Sequence, residues 1–278
     1  MTQTKLIKKT TLVSAAATRL PVHTLTFAIP RFDPSVHRGK SHSEVAIDKG
    51  DVVKMVIPGY KPKSYSMSAL REQEFDVTFK VYPNGRASGF LDSMKVGDEL
   101  ESFGKSSGRH HNPGSFVGIV SYGVGITEGL PVTKAELEKG DAEKVVLLWA
   151  SRTMGDTFWH EEIKALQNEY PGRFEMVHIL SREEHQGCFH GHITPKLLDQ
   201  AFQPADRGQA RFLSVGTKDM MRITNRMLEE IGYPMPEHAL LPKSRSSHHQ
   251  RHGKHHSRTS CKDRKHHKGR ECDKKHRR

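Results

Sequence analysis

Cysteine is scarce in this chain: three in 278 residues, Cys188, Cys261 and Cys272. An odd, widely spaced set builds no disulfide framework and fits a reducing compartment. Three thiolates are also too few for an iron–sulfur cluster, which takes about four. No haem motif is present, so any electron-transfer role falls to an organic cofactor. Long apolar runs are missing too. No stretch of about 18 apolar residues offers a membrane span, so the chain reads as soluble or peripheral. Acidic residues are absent until Asp33, and the preceding stretch carries Lys5, Lys8, Lys9, Arg19 and Arg31 among Ser, Thr and Ala. That is the composition of an organellar transit peptide. The competing reading is a pair of strands, because Lys5-Leu6-Ile7 and Leu25 to Ile29 have strand composition. The strand reading is adopted, with a cytoplasmic location.

Hydrophobic residues make up only 35% of the chain and its mean hydropathy is −0.66, but much of that polarity is local. Residues 243–278 hold 14 of the 44 Lys+Arg, 3 of the 32 Asp+Glu and eight of the 19 His, leaving 30 basic against 29 acidic residues in the first 242. The body is nearly neutral, which argues against a basic nucleic-acid-binding fold for it. The tail, without an apolar period, reads as disordered. Such a charge run is commonly a solvated segment; its density also suits nucleic acid, anionic lipid or an acidic electron-transfer protein. Its histidines with Cys261 and Cys272 match no defined zinc spacing, and no metal site is assigned.

Residues 1 to about 110 contain short β-branched or alternating runs at Leu25 to Ile29, Val52 to Ile57, Phe75 to Tyr82 and Glu99 to Phe103. Gly, Pro and Asn turn signals separate them, and the pattern predicts a small antiparallel barrel. One helix is expected over Gly89 to Lys95, with Phe90, Leu91 and Met94 on one side. His110 to Ser115 reads as a linker. Beyond it, buried-strand runs at Phe116 to Ser121, Val145 to Ala150, Phe174 to Leu180 and Ala210 to Val215 alternate with helical segments at Thr133 to Glu138, Thr157 to Glu169, Pro195 to Ala201 and Asp219 to Ile231. This alternation predicts a doubly wound parallel sheet that binds a nucleotide at the carboxyl ends of its strands.

Three short segments carry the chemistry. Phe116 to Tyr122 runs straight into Gly123-Val124-Gly125-Ile126-Thr127, a buried strand ending on a glycine turn. Glycine there lets the backbone approach a pyrophosphate, and the following helix supplies N–H groups. Lys63-Ser64-Tyr65-Ser66 brings a cation, a ring and hydroxyls into one extended stretch; strand alternation sets Lys63 and Tyr65 on one face and Ser66 on the other. Gly85-Arg86-Ala87-Ser88 follows a turn and opens toward a helix. Each segment alone reads equally as an ordinary turn or surface strand. Their order, an extended stretch with a cation and hydroxyls followed by two glycine turns, points to two nucleotide sites.

With these motifs in place, residues 5 to 242 resemble the ferredoxin-NADP reductase superfamily, most nearly its cytochrome b5 reductase branch. The family's RxYS or RxYT flavin motif looks like Lys63 to Ser66, and its GxxS pyrophosphate motif looks like Gly85 to Ser88. Its GTGITP turn is similar to Gly123 to Glu128, and its CGP stretch to Val215-Gly216-Thr217. The resemblance implies a six-stranded antiparallel flavin-binding barrel over 1–112, a doubly wound NAD(P)-binding domain over 113–242, and the tail over 243–278. It implies FAD as cofactor and NADH or NADPH as co-substrate. Tyr65 and Ser66 then act at the flavin ring, and Lys63, Gly85, Arg86, Ala87 and Ser88 hold the FAD. Gly123, Gly125, Thr127, Gly216 and Met220 touch the nicotinamide nucleotide. Hydride passes from nicotinamide to flavin, and electrons leave singly to a haem protein, a ferredoxin- or flavodoxin-like carrier, or a small molecule.

Four positions depart from the family pattern: Lys63 stands for arginine, Glu128 for proline, Val215 for cysteine and Thr217 for proline. Lys63 offers a point charge in place of a bidentate fork. Two signals divide the nucleotide choice. Asp156 resembles the acidic residue that favours a free ribose hydroxyl, and Ser181-Arg182 the pair that binds the 2'-phosphate of NADPH. A catalytically weak flavin- or nucleotide-binding module, docked by its basic tail on nucleic acid or an acidic partner, is the alternative function class.

Overall fold

The computed structural model describes residues 2–29, 51–106 and 114–233. Residues 110–113 of the expected linker His110 to Ser115, the domain limit at 112 and the tail at 243–278 lie outside these residues. In chain order the first part holds β1 (Thr2–Val13), β2 (Val22–Ala28), β3 (Asp51–Met55), β4 (Lys63–Arg71), β5 (Glu74–Lys80), α1 (Arg86–Ser93) and β6 (Glu99–Ser106). The six strands close an antiparallel barrel in the order β1-β2-β5-β4-β3-β6, with β1 pairing both β2 and β6.

Alternation drives this closure. Leu25 and Phe27 on β2, Val53 and Met55 on β3, and Phe75, Val77 and Phe79 on β5 point inward and are buried together, with Leu91 and Met94 of the α1 segment closing the core. Each such side chain contributes about 1.5–3 kcal/mol by leaving water. Strand β1 is far longer than the expected Lys5-Leu6-Ile7. Its polar run Lys8 to Thr11 stays in the sheet, with register shifts at Leu6/Lys8 and Thr11/Val13. Outward-facing polar residues carry no strand signal of their own, which is why the sequence pattern ended early. The helix also starts earlier than Gly89, because the turn at Pro83 to Gly85 hands the chain directly to Arg86.

The second part holds β7 (Phe116–Tyr122), α2 (Ile126–Lys139), β8 (Lys144–Ser151), α3 (His160–Glu169), β9 (Phe174–Leu180), β10 (Phe189–His190), α4 (Pro195–Ala201), β11 (Ala210–Val215) and α5 (Lys218–Glu230). Its strands form a parallel sheet in the order β10-β9-β8-β7-β11. Alternate residues of the buried strands feed opposite faces. Val117, Ile119, Val145, Leu147 and Trp149 pack with Ile126, Leu130 and Leu137 of α2 and Ile163 and Leu166 of α3. Phe116, Val120, Val146 and Leu148 pack with Leu197 and Leu198 of α4 and Leu228 of α5.

Two helices differ from expectation. Helix α2 begins at Ile126 and runs through Pro131, whose missing N–H marks a break in sequence terms; burial of Ile126, Leu130 and Leu137 outweighs it. Helix α3 begins at His160 because Trp159, at φ 61°, takes a left-handed backbone that stops the helix from extending back to Thr157. The barrel rests on the α2/α3 face, where Val13 and Val22 join the same apolar cluster. No helix among the described residues is long and apolar enough to cross a membrane.

Candidate functional site

Strands β4 and β5 pair from Met67↔Val77 to Arg71↔Glu74, with a register shift after Met67, and then diverge. Residues 63–66 remain paired only to β3, and Thr78 to Lys80 only to β2. The wedge between them is a cleft of about 790 Å³, within the usual range for a cofactor site of about 300–1,000 Å³. Lys63, Tyr65, Ser66, Gly85, Arg86, Ala87, Ser88 and Thr127 all line it. Lys63 and Ser66 lie on the extended strand β4, and Lys63, Ser64, Tyr65 and Ser66 all reach the cleft.

Each wall has its own device. Tyr65 is half-buried, its ring edge-on to Phe79 at 6.5 Å, and burial pushes its phenol up to about 12, so it stays neutral. Lys63 Nζ lies 5.0 Å from the Tyr60 ring, and the Arg86 guanidinium 6.0 Å from the same ring. The two cations thus flank one exposed aromatic beside the cleft. Gly85 caps α1 without a side-chain hydrogen bond, so the helix's first amides are unclaimed by a cap. A Cβ at Gly85 would sit 2.4 Å from Ser88 Oγ and 3.0 Å from Tyr82 O. Ser88 itself is occupied with the turn: its hydroxyl donates to Gly85 O and accepts from Tyr82 N. The α1 terminus, with Arg86 and Lys63 near it, could hold an anion.

The opposite wall is the carboxyl end of β7, where the strand order reverses. Gly123 adopts φ +51° and its carbonyl accepts from Trp149 Nε1 at 2.7 Å. Gly125 abuts β11 so closely that a Cβ would lie 2.6 Å from Val215 O. Gly216 packs on the Tyr122 ring, and Tyr122 in turn bonds Thr224 at 2.7 Å. Thr217 caps α5 by accepting from Met220 N, and the Met220 side chain is exposed. Across the gap, Ser66 Oγ donates to Glu128 Oε2 at 2.9 Å. Glu128 therefore turns toward β4.

Asp156 is 5% exposed and accepts from Arg152 at 2.8 Å and from Thr153 at 3.0 Å, with Lys80 of the barrel at 3.5 Å. Burial alone would raise its pKa; the hydrogen bonds from Arg152 and Thr153 and the charges of Lys80 and Arg152 outweigh this and hold it below the usual carboxylate value. Its carboxylate thus ties Arg152 and Thr153 to Lys80 of the barrel. Ser181 and Arg182 follow β9, tied by their amides to Ser151 O and Arg152 O, with the Arg182 side chain exposed. Sequence reading missed Tyr60, Tyr82, Lys80 and the Ser66–Glu128 contact. Tyr60 and Tyr82 carried a signal, as tyrosines beside the Pro58-Gly59 and Pro83-Asn84-Gly85 turns. Lys80 gave none, since its partner is distant in sequence, and Glu128 stood out only as a departure from the family's proline, with nothing to pair it with Ser66. Among the described residues no cluster of three or more His, Cys, Asp or Glu could hold a metal.

Residues 119–226 match the Oxidoreductase NAD-binding domain family. NADH--cytochrome b5 reductase 1 of Arabidopsis thaliana is 30% identical over 181 residues, 64% of this chain and 63% of that protein. The namesake of Cryptococcus neoformans is 26% identical over 222 residues, 76% and 74% of the two chains. Against the reductases of A. thaliana, Lodderomyces elongisporus and Laccaria bicolor, the chain spans 63%, 59% and 60% of their lengths. Among solved structures, the cytochrome b5 reductase domain of Ulva prolifera nitrate reductase superposes with a TM-score of 0.68 at 18% identity, covering 86% of this chain and 96% of that one. A ferredoxin NADP+ reductase from Neisseria gonorrhoeae with bound FAD and NADP gives 0.65 at 17% identity, covering 86% and 96%. The barrel and the parallel sheet behind it share the fold of these solved structures, and over part of its length the chain is similar in sequence to NADH-cytochrome b5 reductases.

Proposed function

We propose that this chain is an FAD-dependent NAD(P)H oxidoreductase that delivers electrons to a separate acceptor. The observation that carries the reading is the cleft itself: three sequence-distant segments, around Lys63, Gly85 and Gly123, converge on one space of cofactor size. The residues fit a flavin dinucleotide. Lys63 and Arg86 supply cations for a pyrophosphate, the uncapped start of α1 supplies amides, and Gly85, where a Cβ would meet Ser88 Oγ and Tyr82 O, keeps the turn before α1 tight. Neutral Tyr65 gives a flat surface backed by Phe79. When bound, FAD supplies the chemistry, accepting hydride from nicotinamide and releasing electrons one at a time. The chain's part is to bind and orient. The turn at Gly123–Gly125 and the start of α2 receive the nicotinamide nucleotide, with Thr127 on the cleft side.

The curated relatives are named for NADH. In this chain Asp156 is committed to Arg152 and Lys80, which leaves exposed Arg182 with Ser181 to read the ribose 2' position. NADPH is accordingly accepted as well as NADH. The acceptor is a protein, as the relatives' names suggest, or a small molecule.

The deciding experiment is the anaerobic absorption spectrum of purified full-length protein, with NADH and NADPH added to separate samples. A bound-flavin spectrum that bleaches supports the oxidoreductase and ranks the donors. Protein that stays colourless after incubation with FAD refutes it and favours a binding module.

A further inference from the structure

We propose that the Ser66–Glu128 hydrogen bond is a latch across the nicotinamide entrance of the cleft, which an incoming nucleotide must open. The inference rests on the assignment of that nucleotide to the Gly123–Gly125 turn.

Ser66 stands on the open half of β4, in the barrel; Glu128 stands in the first turn of α2, just past the glycine turn of the sheet. Their oxygens are 2.9 Å apart, and Ser66, Val124 and Thr127 line the same cleft. A ring inserted between two walls needs a contact distance of about 3.5–4 Å on each face. The walls here are joined by a direct hydrogen bond, so that space does not exist until the bond breaks. The carboxylate has a second effect: it places the chain's own anion in the first turn of α2, the position a helix terminus offers to a ligand phosphate. An entering dinucleotide therefore displaces both a contact and a charge. A hydrogen bond to a charged group sets this penalty at about tenfold in affinity.

The test is calorimetric titration of the flavin-loaded full chain with NAD+ and with NADP+, in the wild type, Glu128→Ala, Glu128→Gln, Ser66→Ala and the Glu128→Ala/Ser66→Ala pair. The latch predicts about tenfold tighter binding in Glu128→Ala, and smaller tightening in Glu128→Gln, which keeps the volume and an acceptor oxygen. In the Glu128→Ala background, Ser66→Ala adds no further tightening, the non-additivity expected of two residues acting through one bond. Unchanged or weaker binding in both Glu128 variants overturns the proposal, and so do two effects that simply add. Bleaching of the wild type by either reduced nucleotide keeps the functional reading whatever the variants do. A set in which no variant binds either nucleotide overturns the latch and the nucleotide assignment together.

Discussion

Asp156→Asn removes one charge and almost no volume from the contact between barrel and sheet, and its effect separates two roles for this residue. The carboxylate accepts from Arg152 at 2.8 Å and Thr153 at 3.0 Å and faces Lys80 at 3.5 Å. At an effective dielectric of about 20 the Lys80 attraction alone is roughly 5 kcal/mol before desolvation is subtracted. The hydrogen bonds to a charged acceptor contribute about 1.5–3 kcal/mol each, and burying the ions costs several kcal/mol in return. The net loss expected is about 2–4 kcal/mol, or roughly 5–15 °C in melting temperature for a body of this size. The sign with pH follows from the lowered folded pKa. The stabilisation is present above the unfolded carboxylate value of about 3.9 and is lost as pH falls through the folded one. Thermal unfolding followed by circular dichroism at pH 7 and in a descending series checks this, and the gap between wild type and Asp156→Asn closes in acid. NADH and NADPH affinities, measured beside it, stay in the wild-type ratio. A variant within about 0.5 kcal/mol of wild type at pH 7 but with altered NADH binding would refute the structural role and return Asp156 to the ribose.

Tyr65→Ala strips the half-buried ring from the cleft wall, and Ser66→Ala its hydroxyl; flavin content per chain or the rate of hydride transfer falls in each, and normal values of both in both variants remove them from the site. Gly85→Ala pushes a methyl against Ser88 Oγ and Tyr82 O, costing about 1–3 kcal/mol by overpacking, and lowers the bound-flavin absorbance at equal protein. Gly125→Ala drives a Cβ toward Val215 O; flavin uptake survives while bleaching by both nucleotides weakens by about tenfold or more. Arg182→Ala removes an exposed cation and weakens NADPH about five- to tenfold with NADH unchanged, the size of a partly exposed charge-assisted contact, read as KM for each donor.

What was legible in the sequence was what local pattern can carry. Alternation on β2 and β5 and the apolar runs of β7, β8, β9 and β11 announced a barrel followed by a parallel sheet, because burial on one face or two writes itself directly into residue order. The glycine turn after β7 was legible for a similar reason: it is one continuous strand-turn-helix. Strand β1 was only half visible, since Lys8 to Thr11 hold their place through pairing with β2 and not through their own hydrophobicity. Asp156 shows the limit most clearly. In sequence it resembles only the family's ribose-binding acid, yet Lys80, 76 positions earlier, reaches it from the barrel. Glu128 shows the converse: in sequence it is merely a departure from a proline, and only the distant Ser66 gives it a direction. Both lie where barrel meets sheet. That junction is built from single long-range contacts with no period, and it is also where the cleft opens. The features hardest to read from the sequence are thus the contacts that join the two halves around the cleft.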